Sequence, residues 1–230
     1  MGIHDGHRER LRECFRKDGL AGFDSVRALE LLLQFAISRK DVNPIAHALL
    51  DRFGSLQEVF EASEQELCQV DGIGPSSAVL IRLVPQILKK SQVDRAASMP
   101  YILSPTDAKN YLMPHFLYET EEMVMLLSLD SQKRVIKCME LSRGVVNSVS
   151  IDVRRIMEIA LKQRACSLIL AHNHPDGPAR NSREDDLVTG QLFQSLRTVR
   201  IELSDHLIFG RDGVFSYRDS GTLQILGYYS

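Results

Sequence analysis

The sequence predicts an α/β protein in which an all-helical amino-terminal module precedes a mixed α/β domain, and three observations carry that prediction. Apolar residues recur three and four apart from Arg8 to about Lys90, as in Leu29, Leu31, Leu32, Phe35 and Ala36, which is the period of an amphipathic helix. The pattern changes between about Ser91 and Ser104, where Met99-Pro100 and Ser104-Pro105 disfavour helix in the residue before each proline. Beyond that linker, short strand-like runs alternate with helical stretches. The expected boundaries are residues 1–98 for the helical module and 103–230 for the second domain.

Within the module, the breakers Asp18-Gly19, Arg52-Phe53-Gly54 and Asp71-Gly72-Ile73-Gly74-Pro75 divide the helical pattern into about five short helices. The second domain begins with a short helix around Thr106 to His115. The runs Met123–Leu129 and Arg134–Cys138, joined through Asp130-Ser131-Gln132, predict a β-hairpin. An amphipathic helix over about Asp152–Arg164 precedes the apolar run Ser167–Ala171, which suits a buried strand. A helix from Arg183 to about Val199 and two strands, near Ile201–Leu203 and Leu207–Phe209, complete the prediction.

Composition bounds the function. Hydrophobic residues at 44% and charged residues at 25% suit a globular chain with a substantial core. A net charge of -2 means that the chain as a whole does not attract nucleic acid or acidic membrane, so any such binding is local. The start, MGIHDGHRERLRECFRKDG, lacks the apolar core of a secretory signal, and no stretch approaches the length needed to span a bilayer. A cytoplasmic protein is expected. Cys14, Cys68, Cys138 and Cys166 are scattered singly in apolar or amphipathic runs, which predicts buried free thiols rather than disulfides or metal ligands.

The chemistry concentrates between Ala171 and Asp185. In extended backbone, residues two apart project on the same side, so His172 and His174 at a strand end can aim both imidazoles at one point. The Pro175-Asp176-Gly177-Pro178 turn can swing the chain back, and Asp185 falls in the first turn of the next helix, where a carboxylate also suits the positive end of the helix dipole. Two imidazoles and one carboxylate leave a tetrahedral zinc with a free position for water, the arrangement of a catalytic site. Ser182 and Asp185 also fit a helix-capping box, in which both side chains serve only backbone amides.

His172-x-His174, seven residues, Ser182, two residues, Asp185 matches the His-x-His-x7-Ser-x2-Asp signature of JAMM/MPN+ metalloproteases, and the sequence resembles the bacterial RadC family over nearly its whole length. Supporting segments are Ser204–Gly210, Gly144 with Asn147, His7–Leu11 and Arg39–Val42. The resemblance implies an MPN (JAMM, cytidine-deaminase-like) domain with one zinc ion held by His172, His174 and Asp185. It also implies an upstream glutamate as general base and Ser182 as a donor to the developing oxyanion. Glu119, Glu121 and Glu122 all lie where the family places that glutamate; counting back from Leu129-Asp130 favours Glu122, with Glu121 in reserve.

The chain departs from the family at Asp176, in place of a serine, at Val145, in place of a threonine, and at Val153 and Arg155 beside Arg154. Asp176 is expected to add negative charge close to the metal. Asp205 and His206 either orient a ligand imidazole or form a hydrogen-bonded turn before a strand. His4, His7 and His115 lie outside the constellation.

In the module, Val70–Ala78 resembles the turn of a helix-hairpin-helix, in which Gly72 and Gly74 would let backbone N–H groups grip a DNA phosphate; the same turn also serves purely for packing. Arg8, Arg10, Arg12, Arg16 and Lys17 form a basic run, but Glu9 and Glu13 interleave as ordinary surface pairs do. The leading expectation is hydrolysis of a peptide or isopeptide bond in a peptide or protein substrate by metal-activated water. The alternatives are a DNA-associated repair accessory factor with a structural or vestigial metal site, and a metal-dependent nuclease.

Overall fold

A computed structural model describes residues 3–38, 40–97, 101–144 and 151–228. Arg39, Met99, Pro100, Val145 and Asn147, singled out above, lie outside the described residues. The chain divides into two compact units, Met1–Leu88 and Lys89–Ser230. No helix among the described residues is long and apolar enough to cross a membrane.

The first unit is helical, as the periodicity predicts: α1 (Ile3–Asp18), α2 (Ser25–Ala36), α3 (Asn43–Phe53), α4 (Leu56–Glu61), α5 (Glu64–Leu67) and the start of α6 (Pro75–Ala97). Local chemistry sets the starts. Asp24, Ser55 and Ser63 each accept a backbone N–H three residues on, and Glu66 returns the bond to Ser63. Each such cap contributes about 1 kcal/mol. Leu29, Leu33, Leu49, Val59, Leu67 and Ile81 close a buried core. Arg8 donates to the carbonyls of Ile37 and Lys40, so the two amino-terminal segments noted in the sequence meet for a structural reason. His7 Nε2 lies 2.7 Å from buried Glu30. The expected linker begins late: α6 runs through Ser91 to Ala97, helped by the Lys90–Asp94 pair one turn apart.

The second unit carries α7 (Pro105–Phe116), β1 (Met123–Leu129), β2 (Val135–Arg143), α8 (Val153–Gln163), β3 (Ser167–Asn173), α9 (Arg183–Thr198), β4 (Glu202–Gly210), β5 (Gly213–Ser216) and α10 (Thr222–Tyr228). The five strands described form one sheet in the order β2-β1-β3-β4-β5, antiparallel except for the β3–β4 pair. The α/β class and the helical amino-terminal region therefore stand as the sequence predicts.

β3 is buried on both faces, which explains its continuous apolar run. Leu168, Leu170 and Ile208 pack with Ile156, Leu192 and Leu196 of α8 and α9. Ile169, Ala171, Leu207 and Phe209 pack on the other face with Ala108, Leu112 and Phe116 of α7. The β3–β4 register shifts between Leu168, opposite Leu203, and Ile169, opposite Asp205, so Ser204 is an extra residue in β4.

Three expectations need correction. The two strands foreseen near residues 201–203 and 207–209 are one strand, because the polar Ser204-Asp205-His206 stretch is buried and hydrogen-bonded rather than turned out to water. β5 and α10 carried too little local pattern to be foreseen. The cysteines are free as expected, but Cys14, Cys68 and Cys166 are exposed; only Cys138 is half-buried, and burial pushes its thiol up to about 12.

Candidate metal centre

Each of the three candidate ligands arrives on a different piece of backbone. β3 delivers His172, 3% exposed, opposite Val124 of β1 and Ile208 of β4. His174 lies just past the strand end, yet its N–H still donates to the Phe209 carbonyl at 2.8 Å, so the extended chain continues and the two imidazoles share a side. The return turn is tied down from β4 and the residues after it. Arg211 N–H donates to the Gly177 carbonyl at 3.1 Å, and Ala179 N–H donates to Asp212 at 2.6 Å. A Cβ on Gly210 would lie 2.2 Å from the Ala179 nitrogen, so glycine is required there for the turn to rest on β4.

Asp185 enters from α9, and its two oxygens divide the work. Oδ2 accepts the Ser182 N–H at 2.9 Å and the Ser182 hydroxyl at 2.6 Å, while Ser182 Oγ accepts the Asp185 N–H at 3.1 Å. The capping box is real. Oδ1 stays available and lies 3.3 Å from His172 Nε2. Capping and ligation are therefore compatible, since the cap holds the carboxylate in the orientation that sends its other oxygen inward. In this arrangement the Ser182 proton points at Asp185.

The three ligand atoms lie within 4.8 Å of one another. His172 Nε2 and His174 Nε2 are 3.0 Å apart, and His174 Nδ1 is 3.2 Å from the Pro178 carbonyl. A carbonyl only accepts, so the His174 proton sits on Nδ1 and its Nε2 turns a lone pair toward its neighbours. Burial pushes the His172 imidazole below its ordinary pKa, against the pull of the Asp185 charge, so it is neutral at pH 7 and a ready ligand. A set of two imidazole nitrogens and one carboxylate oxygen, converging with electron pairs inward, fits a divalent cation. His174 and Asp185 are only half-buried, so the site has an open side.

The supporting residues sort Asp205 from His206. His206 is fully buried, with Nε2 2.9 Å from His172 Nδ1 and Nδ1 2.7 Å from Thr189 Oγ1. Tyr217 stacks on its ring at 4.9 Å. Asp205 faces the other side of the sheet, where it accepts from the Ser216 hydroxyl and the Arg218 and His206 amides. Thr189 and Tyr217 were not singled out in the sequence. Thr189 follows Asp185 by four residues, one helical turn, and that spacing was the available signal.

Among the glutamates, Glu119 is engaged by Arg143 and Lys89; burial pushes its carboxyl up, but these two bonds outweigh that and hold it low. Glu122 lies two residues before Val124, the cross-strand partner of His172, and its carbonyl accepts the Gly144 N–H at 2.9 Å. Glu121 and Glu122 both lie just before β1, outside the strand itself. Asp176 is not a bare charge beside the site, because Arg211 donates to it at 2.8 Å. Arg154 pairs with Glu158, and Arg155 donates to the Leu141 carbonyl.

In the helical module, Gly72 adopts φ +91° and a Cβ there would lie 2.6 Å from Ile45 Cδ1. Ile73 N–H donates to the Val70 carbonyl and Gly74 N–H to Ser77 Oγ, so both amides are already engaged within the turn. Arg16 and Arg12 pair with Glu9.

Residues 102–222 match the RadC-like JAB domain, a domain type that typically binds metal. The chain is 35% identical to a UPF0758 protein of Methylibium petroleiphilum, over 93% of this chain and 96% of the relative. It is 33% identical to a UPF0758 protein of Fusobacterium nucleatum, over 96% and 98%, and 33% identical to one of Paraburkholderia xenovorans, over 95% and 85%. With a domain match that covers more than half its length and relatives aligned almost end to end, the chain belongs to the RadC family.

Proposed function

We propose that the second domain is a zinc-dependent hydrolase of the JAMM type, holding one ion per chain through His172, His174 and Asp185 and cleaving a peptide or isopeptide bond. The observation that carries this reading is the convergence of three electron-pair donors within 4.8 Å, beside an open side of the domain. The family supports a JAB-type metal-dependent hydrolase or a repair-associated role, and this donor set favours the first.

Bound zinc would supply a Lewis acid that lowers the pKa of water toward about 7. The protein's own residues do the rest. Glu122, two residues before the Val124 that stands opposite His172, would take the proton from the attacking water and return it to the amine as the C–N bond breaks. Ser182 keeps Asp185 aimed, and a rotation of its hydroxyl away from Oδ2 would free a donor for the carbonyl oxygen as it gains charge. Contact with DNA through Gly72 and Gly74 has less support, because the neighbouring amides are spent inside the turn.

Metal analysis of the purified protein, beside peptide and isopeptide cleavage assays and a plasmid-nicking assay, tests the reading. The expected outcome is stoichiometric zinc, lost in His174→Ala and Asp185→Ala, with cleavage of a peptide-type bond falling by about a thousandfold or more. Full activity in a metal-free Asp185→Ala protein would refute it, and nicking without peptide cleavage would move the function to phosphodiesters.

A further inference from the structure

We infer that Thr189 and His206 are positioning residues that fix which nitrogen of His172 carries the proton, and so turn the His172 Nε2 lone pair into the site; this deepens, and rests on, the metal reading above. The assignment follows from hydrogen-bond polarity along a buried chain of four groups. Thr189 Oγ1 lies 2.5 Å from the Asp185 carbonyl oxygen. A carbonyl cannot donate, so two oxygens that close require the threonine proton between them. With its single proton committed, Thr189 Oγ1 can only accept from His206 Nδ1 at 2.7 Å, and that nitrogen must carry a hydrogen. His206 is fully buried, and an imidazole with a hydrogen on both nitrogens would place a charge there. Its Nε2 is therefore bare and accepts at 2.9 Å, so His172 donates from Nδ1.

His172 is buried too, so with its hydrogen on Nδ1 its Nε2 carries none. It faces His174 Nε2 at 3.0 Å and Asp185 Oδ1 at 3.3 Å. Were the polarity reversed, a hydrogen on Nε2 would occupy the position that a cation needs. The chain also starts and ends on one residue: the Asp185 backbone carbonyl sets the proton order, and its carboxylate meets the imidazole so ordered. Tyr217, stacked on His206 with ring planes 9° apart, covers the His206 face, and its hydroxyl donates to Asp186. Outer partners that orient a ligand imidazole typically change metal affinity by about 10- to 100-fold when removed.

Two measurements on the full chain test the inference. Nitrogen-15 NMR of the metal-free protein reads the tautomer, and the expected result is a His172 proton on Nδ1 and a His206 proton on Nδ1. Zinc affinity by chelator competition is then compared for the unmodified protein, Thr189→Val and Thr189→Ser. Thr189→Val, which keeps the shape and loses the hydroxyl, is expected to bind zinc about 10- to 100-fold more weakly, and Thr189→Ser to bind it as the unmodified protein does. A His172 proton on Nε2, or unchanged affinity in a folded Thr189→Val protein, would overturn the inference. If Thr189→Val fails to fold, the tautomer of the unmodified protein decides alone. An unmodified protein that binds zinc with the expected tautomer but cleaves nothing would leave this inference standing and defeat the hydrolase reading.

Discussion

The turn before α6 and the turn before α9 are built from the same local materials, a glycine- and proline-bearing loop that feeds a helix start, yet they come to opposite ends. In the first, Ile73 and Gly74 spend their amides inside the turn and Ile45 fills the space over Gly72. Those two amides are closed within the turn. In the second, the cap consumes one Asp185 oxygen and leaves the other, with two imidazole nitrogens, pointed at a common centre. The difference teaches that a loop motif becomes a binding site only when strands and helices from elsewhere hold its leftover donors and acceptors together.

The contrast can be broken most forcefully at Gly210. An alanine there would set a methyl group against the Ala179 nitrogen and the Pro178 carbonyl carbon, which are backbone and cannot rotate away. Gly210→Ala is expected to cost about 3 kcal/mol, or about 6–12 °C in melting temperature, and to abolish zinc uptake. A variant that melts and binds zinc like the unmodified protein would show that the turn does not depend on this approach. Gly72→Ala should act more mildly, because the atom it meets is the flexible end of Ile45, while the positive φ costs about 1–2 kcal/mol. Its zinc content should not change. Gly74→Ala, with nothing within 4 Å of the new methyl group, is the control expected to stay near the unmodified melting temperature.

The gentlest perturbation is pH. Burial holds His172 and His206 neutral in the folded chain, with pKa values below the ordinary 6.5. The unfolded chain therefore binds more protons as pH falls through 6.5, and the stability these residues contribute is full above that value and lost toward the lower folded pKa values. Calorimetry of the metal-free protein should show a slight loss between pH 7 and 6 and a steeper one below. A melting temperature that stays level from pH 7 to 5 would mean that these imidazoles are not buried as neutral groups.

The convergence of the candidate trio was legible because its cues are local: two histidines two apart after an apolar run, and a carboxylate at a helix start. Counting favours Glu122 over Glu121, and both lie just before β1, whose Val124 stands opposite His172. What escaped depends on pairing between distant segments. Ser204-Asp205-His206 looks like a turn until Ser216, Arg218, Thr189 and His172 arrive to satisfy its polar groups. Exposure of Cys14, Cys68 and Cys166 likewise depends on what packs nearby, which an amphipathic run alone does not state.

The extra residue in β4 has a consequence for the electrostatic character of the site's wall. With Ser204 inserted, the alternation after it sets His206 on the side of His172 and sends Asp205 away. Counted into the ladder instead, Ser204 would stand opposite Ile169 and push Asp205 opposite Leu170, so that an anion replaced a neutral ring behind the His172 imidazole. One residue with no catalytic group, by standing outside the pairing, thus keeps the pocket's rear uncharged.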